Sequence, residues 1–173
     1  VVTMDPDRRE IAGGSVLIRG PEIVAVGAAD TVAARWREIA GGADPARPRP
    51  AAAAPDRIDA RGKLVLPGFV NTHHHMYQSL TRALPGAQDA GLFGWLGALY
   101  PVWGRFDPDA FVAAAEVAMA ELLLSGCTTS SDHQYLFPNG ARLDDTIDAA
   151  RRIGLRFHAC RGAMSVGESA GGL

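Results

Sequence analysis

At 173 residues the chain has the length of about one domain with room for a piece of a second, enough to bury a real core. Its 47% hydrophobic and 21% charged residues are ordinary for a globular protein, and a net charge of -2 gives no electrostatic footprint for nucleic acid. No run of about 18 apolar residues predicts a membrane span, and the opening "VVTMDPDRRE" lacks the basic start and apolar core of a signal peptide.

In chain order, residues 15–27, "SVLIRGPEIVAVG", predict two short strands around Gly20-Pro21. The proline weakens this hairpin signal, since proline demotes a central strand. Residues 31–39 predict a short helix, the Ala/Pro/Gly-rich run 40–56 an exposed loop or linker, and residues 57–66, "RIDARGKLVL", a return to strand character. After Pro67-Gly68, residues 69–72 predict a short buried strand and residues 76–83 a helix. The strongest helix signal follows, with Asp107 as N-cap, Pro108 at the first helical position and Gly126 as the stop. Residues 128–133 then predict a strand, a helix runs from near Asp144 to Gly154, and residues 155–162 predict another strand.

The order β-α-β-α-β argues for a parallel sheet with right-handed crossovers, either the start of a (β/α)8 barrel or part of a doubly wound sheet. No GxGxxG or GxxxxGK[ST] follows a strand, so a nucleotide-binding fold has no support. Cys127 and Cys160 form no CxxC and read as reduced thiols of a cytoplasmic protein. The chain starts on Val1 and stops at "GESAGGL" with no element closing, which reads as a fragment of a longer protein.

Three of the five histidines stand in a row, within "FVNTHHHMYQ". On a strand, side chains alternate faces, so His73 and His75 point one way and His74 the other. Two imidazoles so placed can share one cation at about 2.0–2.1 Å. Neutral imidazole favours Zn²⁺, with Fe²⁺ also suited. An HxH pair is a weak signal alone; at the C-terminal end of a strand in a β/α chain it gains weight, because barrels build their active sites there.

The segment "VLPGFVNTHHHMYQSLTRAL" resembles the amidohydrolase superfamily of metal-dependent hydrolases. That pattern is a Pro-Gly turn, an apolar strand, then Asp or Asn, one residue, and His-x-His, here Pro67, Gly68, Asn71, His73 and His75. "FGWLGALYPVWGRF", "AMAELLLSGCTTSSDH" and "GLRFHACRG" are similar to the purine and triazine aminohydrolases of that superfamily, most of all to 8-oxoguanine deaminases. Guanine deaminases and hydroxy- or chlorotriazine hydrolases stand nearby.

The resemblance implies a fold: residues 1–66 as part of a small β-sandwich, and residues 67–173 as the first three β/α units of a (β/α)8 TIM-like barrel. It implies hydrolysis at a ring carbon bearing an exocyclic amine, with ammonia released and a carbonyl left. It implies one divalent metal on His73 and His75, and a homo-oligomeric parent acting on a small ring substrate, with no nucleic acid or membrane partner. The remaining ligands and the acid–base residues of such enzymes lie on later strands, so none is assigned here. A chain without them would be an inactive fragment with at most weak metal binding.

For substrate contacts the resemblance offers Gln78, which is also a plausible surface residue. Trp103, with Trp95 and Tyr100, falls in a segment that covers the pocket in such enzymes, where aromatic walls suit a flat ring but core packing is an equal reading. Arg161 stands at the pocket rim or is an ordinary loop arginine. Asp132-His133 either lines the pocket or holds structure, and His158 reads as a satisfied core histidine. Glu168 is not cast as the catalytic acid.

Overall fold

The structure, a computed structural model, describes residues 1–41 and 55–164. Most of the linker expected at 40–56, together with Glu168 and its Gly/Ser-rich tail, lies outside the described residues. The chain divides into two compact units between Pro67 and Gly68.

In the first unit, β1 (Gly14–Arg19) and β2 (Glu22–Ala28) pair antiparallel, Arg19 facing Glu22. Gly20 has φ +58°. Glycine at positive φ followed by proline with its fixed φ suits a two-residue II′ turn, which matches the twist of a hairpin. The proline therefore sits in the turn and costs the strands nothing. Helix α1 (Ala29–Gly41) follows directly and buries Val32.

Residues 57–66 form no strand. The Asp59 carboxylate accepts from the Arg61 N–H at 3.0 Å, Lys63 N–H donates to the Ala60 carbonyl, and Gly62 has φ +72°. This local turn breaks the extended run that the β-branched residues suggested.

In the second unit, β3 (Phe69–Asn71), β4 (Cys127–Gln134) and β5 (Arg156–Arg161) form a three-stranded parallel sheet in that order. The expected α/β organisation with a parallel sheet is present, though three strands do not close a barrel. Helix α2 (Leu92–Trp103) and helix α3 (Pro108–Leu124) lie between β3 and β4, and α4 (Leu143–Ile153) lies between β4 and β5.

The signals at the helix ends act as the sequence suggests. The Asp107 carboxylate accepts from the Ala110 N–H at 2.9 Å, and Gly126 and Gly154 take left-handed φ of +86° and +82° just past α3 and α4. At the start of α4 the Asp145 carboxylate accepts from the Arg142 N–H at 2.7 Å. Small side chains let the helices approach the sheet: Ala115, Ala118, Ala149 and Ala150 are buried with Met76, Met119 and Leu155. A second core gathers Tyr77, Leu99, Trp103, Phe111 and Leu136.

Three expectations change. Residues Met76–Thr81 form a 3-10 helix rather than an α-helix, ending shortly before Pro85, where the ring cannot continue a helix. Strand β3 is not buried: Phe69 and Val70 are 55% and 64% exposed, because only β4 pairs with it among the described residues. Helix α2 carried no helix prediction, since it is apolar all round and contains Pro101, which hides any 3.6-residue stripe. No helix among the described residues is long and apolar enough to cross a membrane.

Candidate metal centre and cleft

Strand β3 ends at Asn71, so the three histidines occupy the turn between β3 and the 3-10 helix rather than the strand itself. Asn71 shapes this turn: its Oδ1 accepts from the His73 N–H at 2.9 Å. Three hydrogen bonds then tie the turn to the end of β4. The Met76 N–H donates to Asp132 Oδ1 at 2.8 Å, the His133 N–H donates to the His74 carbonyl at 2.9 Å, and His75 Nδ1 lies 2.7 Å from the His133 carbonyl.

The last bond has a chemical consequence. A carbonyl oxygen only accepts, so Nδ1 of His75 carries the proton and the neutral ring presents an unprotonated Nε2. Burial holds the His75 pKa down, with the bond to His133 partly opposing it. A neutral imidazole is the form that ligates.

His73 and His75 face each other with ring centres 5.2 Å apart and planes at 88°. Two imidazoles sharing a tetrahedral cation at about 2.0–2.1 Å hold their ring centres roughly 5 Å apart. The pair therefore fits one divalent ion, on donor chemistry and on spacing. His74 turns elsewhere: it is half-buried, and burial first, then the charges of His75 and Arg82, hold its pKa down, with Glu121 opposing. Its Nδ1 is buried without a hydrogen-bond partner among the described residues. No cluster of three His, Cys, Asp or Glu able to hold a metal occurs among the described residues.

Asp132 and His133 differ in their surroundings. The Asp132 side chain is buried and structural, and burial pushes its carboxyl up to about 6. The His133 ring is exposed and stands 5.5 Å from His75. His158 is not a core histidine: it is exposed, on a strand whose neighbouring Phe157 packs against the core.

Gln78 Nε2 lies 3.2 Å from Tyr77 Oη and 3.5 Å from Tyr135 Oη. Tyr135 was not singled out from sequence, yet its ring meets His75 at 5.6 Å and His133 at 5.7 Å. No motif marks it; its position just past β4, beside His133, is the only signal. Beyond it opens a cleft of about 540 Å³ lined by Tyr135, Phe137, Asn139, Arg161, Gly162 and Met164. The Arg161 guanidinium sits 5.0 Å over the Phe137 ring, a cation–π contact, and its Nη1 donates to the Gly162 carbonyl at 3.5 Å. Gly162 permits this closeness, since a Cβ there would fall 2.6 Å from His133 Nε2 and 2.7 Å from Tyr135 Cβ.

Trp103 does not join this group. It has no exposed surface, its Nε1–H donates to Thr81 Oγ1 at 3.0 Å, and Tyr77, Trp95 and Tyr100 surround it. A fully enclosed indole with its donor satisfied is core, so the expectation that Trp103 touches substrate is corrected.

The amidohydrolase family profile matches residues 64–171. An 8-oxoguanine deaminase of Pseudomonas aeruginosa is 50% identical over 129 residues, which is 72% of this chain and 28% of that enzyme. A hydroxydechloroatrazine ethylaminohydrolase of Pseudomonas sp. (strain ADP) is 39% identical over 114 residues, which is 63% of this chain and 24% of that enzyme. Among solved structures, a triazine hydrolase from Arthrobacter aurescens has a TM-score of 0.75 at 32% identity, over 97% of this chain and 35% of that chain. An atrazine chlorohydrolase from Arthrobacter aurescens TC1, complexed with zinc, has a TM-score of 0.70 at 29% identity, over 99% of this chain and 36% of that chain. The chain thus spans 28% and 24% of the two curated relatives.

Proposed function

The chain belongs to the amidohydrolase family, and on that premise we propose that the whole protein is a metal-dependent hydrolytic deaminase of an oxidised purine, 8-oxoguanine first. The observation that carries the metal chemistry is the His73–His75 pair, with the His75 tautomer fixed by the His133 carbonyl. The 50% identity to an 8-oxoguanine deaminase supports the substrate. In the same reading, residues 1–66 are part of a β-sandwich, residues 67–173 are the first three β/α units of a (β/α)8 barrel, and the protein works as a cytoplasmic homo-oligomer.

His73 and His75 would hold the divalent ion, zinc in the first instance and iron as the other candidate; the ion supplies Lewis acidity for hydrolysis at neutral pH. The chain's own residues do the positioning. Asp132 and the His133 backbone fix the turn, so the two imidazoles need no reordering when they bind. Gln78 and Arg161 orient the ring, Arg161 as a donor to a carbonyl oxygen. Water replaces the exocyclic amine, leaving a carbonyl and releasing ammonia.

Release of ammonia from 8-oxoguanine and guanine, and of the amine from a hydroxytriazine, by the full-length protein tests this. The expected order places 8-oxoguanine first in kcat/KM, with His75→Ala inactive. No turnover on any of the three would sink the reading. A triazine in first place would favour the second reading, a triazine hydrolase, which the structural neighbours support.

A further inference from the structure

Asn139 stands in the loop between β4 and α4 in a left-handed conformation, φ +51° and ψ +33°, with Gly140 left-handed after it at φ +84°. Asparagine tolerates that region better than most residues, so the backbone alone would explain its presence. The side chain does something more. Its Nδ2 donates to the carbonyls of Gly104 and Phe106, each at 2.9 Å, 35 and 33 residues back in the chain. Both partners are carbonyls, which only accept, so the sense of the amide is fixed and both its protons are used.

Gly104 and Phe106 form the corner at the end of α2, where the last carbonyls of a helix have no partner inside it. Leu136 and Ala141 of the loop are buried with Trp103 and Phe111, on either side of this corner, and such apolar contact holds the loop close without giving it a direction. No other hydrogen bond joins residues 135–142 to residues 104–106 among the described residues. The two bonds from Asn139 are the directional tie. What they set is the cleft: Gly104, Phe137 and Asn139 line it, and the Arg161 guanidinium rests 5.0 Å over the Phe137 ring, two residues from the tie.

We propose that Asn139 is a positioning residue for the substrate: it ties the β4–α4 loop to the end of α2, and so fixes Phe137, and the Arg161 guanidinium stacked on it, where that guanidinium meets the ring. This rests on the deaminase reading of the site. Without the tie the loop keeps its apolar anchors, but Phe137 and Arg161 sample several positions and must be ordered each time a substrate binds. The metal turn is held by other bonds, from Met76 to Asp132 and between His75 and His133, so the chemistry at the ion is left as it was.

Steady-state kinetics of the full-length, zinc-loaded protein on 8-oxoguanine test this with Asn139→Gly, which keeps the left-handed backbone and removes the tie. KM is expected to rise about tenfold, with kcat within about twofold and zinc content unchanged. Arg161→Met is expected to raise KM as well, and the double variant to be no worse than Arg161→Met alone, because Asn139 acts through Arg161. A wild-type KM in Asn139→Gly would show that only the left-handed turn is needed, and additive losses that Asn139 acts elsewhere; either overturns the inference.

A second measurement needs no variant, and so decides the matter if Asn139→Gly does not fold. An Asn-Gly pair is prone to lose ammonia. The Gly140 nitrogen attacks Asn139 Cγ; that C–N bond forms as Cγ–Nδ2 breaks, the amide proton leaves with the ammonia, and water opens the imide to aspartate or isoaspartate. At ψ +33° the Gly140 nitrogen is turned away from the side chain, and the tie holds it so. Peptide mass spectrometry of the aged wild type is expected to show this conversion about tenfold slower than in the urea-unfolded chain, and slower again with the trioxopurine product at a concentration that calorimetry shows to saturate. A rate equal to that of the unfolded chain, or one that bound product leaves unchanged, would overturn the inference. A wild type with no turnover of 8-oxoguanine would sink the deaminase reading and the substrate role with it, while the ageing rate judges the tie separately.

Discussion

At the scale of single residues, the site sets an exposed imidazole, His73, and a half-buried one, His75, over the buried Asp132 carboxyl. Strand alternation suggested pairing His73 with His75, but β3 ends at Asn71 and the rings that stand 5.2 Å apart are presented by a turn. Alternation could not show what holds them, because Asp132 and His133 lie 56 and 58 residues beyond their partners. Trp103 failed for a related reason: a tryptophan's identity does not say whether its ring walls a pocket or fills a core. Asp132 yields a pH prediction. Its carboxyl is raised from 3.8 to about 6 by burial, against the bond from the Met76 N–H. The folded state therefore binds the proton more tightly than the unfolded state. The stabilisation that Asp132 contributes to the metal-free protein is present in full below about pH 4, is lost as pH rises through about 6, and is absent above, the loss reaching up to roughly 3 kcal/mol. Asp132→Asn keeps an oxygen for the Met76 N–H but has no proton to lose. Denaturant melts across this range are expected to show the wild type losing stability relative to the variant as pH rises; a difference between the two that does not change with pH would remove Asp132 as its source.

At the scale of elements, punctuation was more legible than packing. Asp107, Pro108, Gly126 and Gly154 announced the ends of α3 and α4 because caps act through nearby backbone. Helix α2 and the missing strand at 57–66 were not legible. The first has no polar face to reveal its period, and the second needed a partner strand that local sequence cannot supply. The same logic makes the cap measurable. Asp107→Ala removes the acceptor for the Ala110 N–H and is expected to cost about 1 kcal/mol of stability in urea melts, with Asp107→Asn recovering most of it. Since α3 buries Ala115, Ala118 and Met119 beside Met76, one residue past the histidines, this cost also reaches the metal turn. An Asp107→Ala protein with unchanged stability would show that the packing of α3, not its cap, sets its position.

At the scale of the whole molecule, a parallel sheet is normally covered on both faces. Here, among the described residues, β3 pairs on one side only, with Phe69, Val70 and, at the end of α3, Leu124 exposed. Alternation of β and α segments revealed the sheet but could not reveal which surfaces stay open, because that depends on chain beyond the sequence that forms them. The proposed metal site shows the same incompleteness: two imidazoles are placed together, and no third ligand joins them among the described residues. Tetrahedral protein sites that hold zinc tightly use three or four ligands. The 173-residue chain expressed by itself is therefore expected to take up zinc weakly, to release no ammonia from 8-oxoguanine, and to self-associate through its open apolar edge in sedimentation runs. The full-length protein is expected to hold one equivalent through dialysis and to sediment as a defined species. One tightly held zinc in the 173-residue chain, with turnover, would mean that His73 and His75 need no ligand from outside it, and the two-histidine reading of the site would fall.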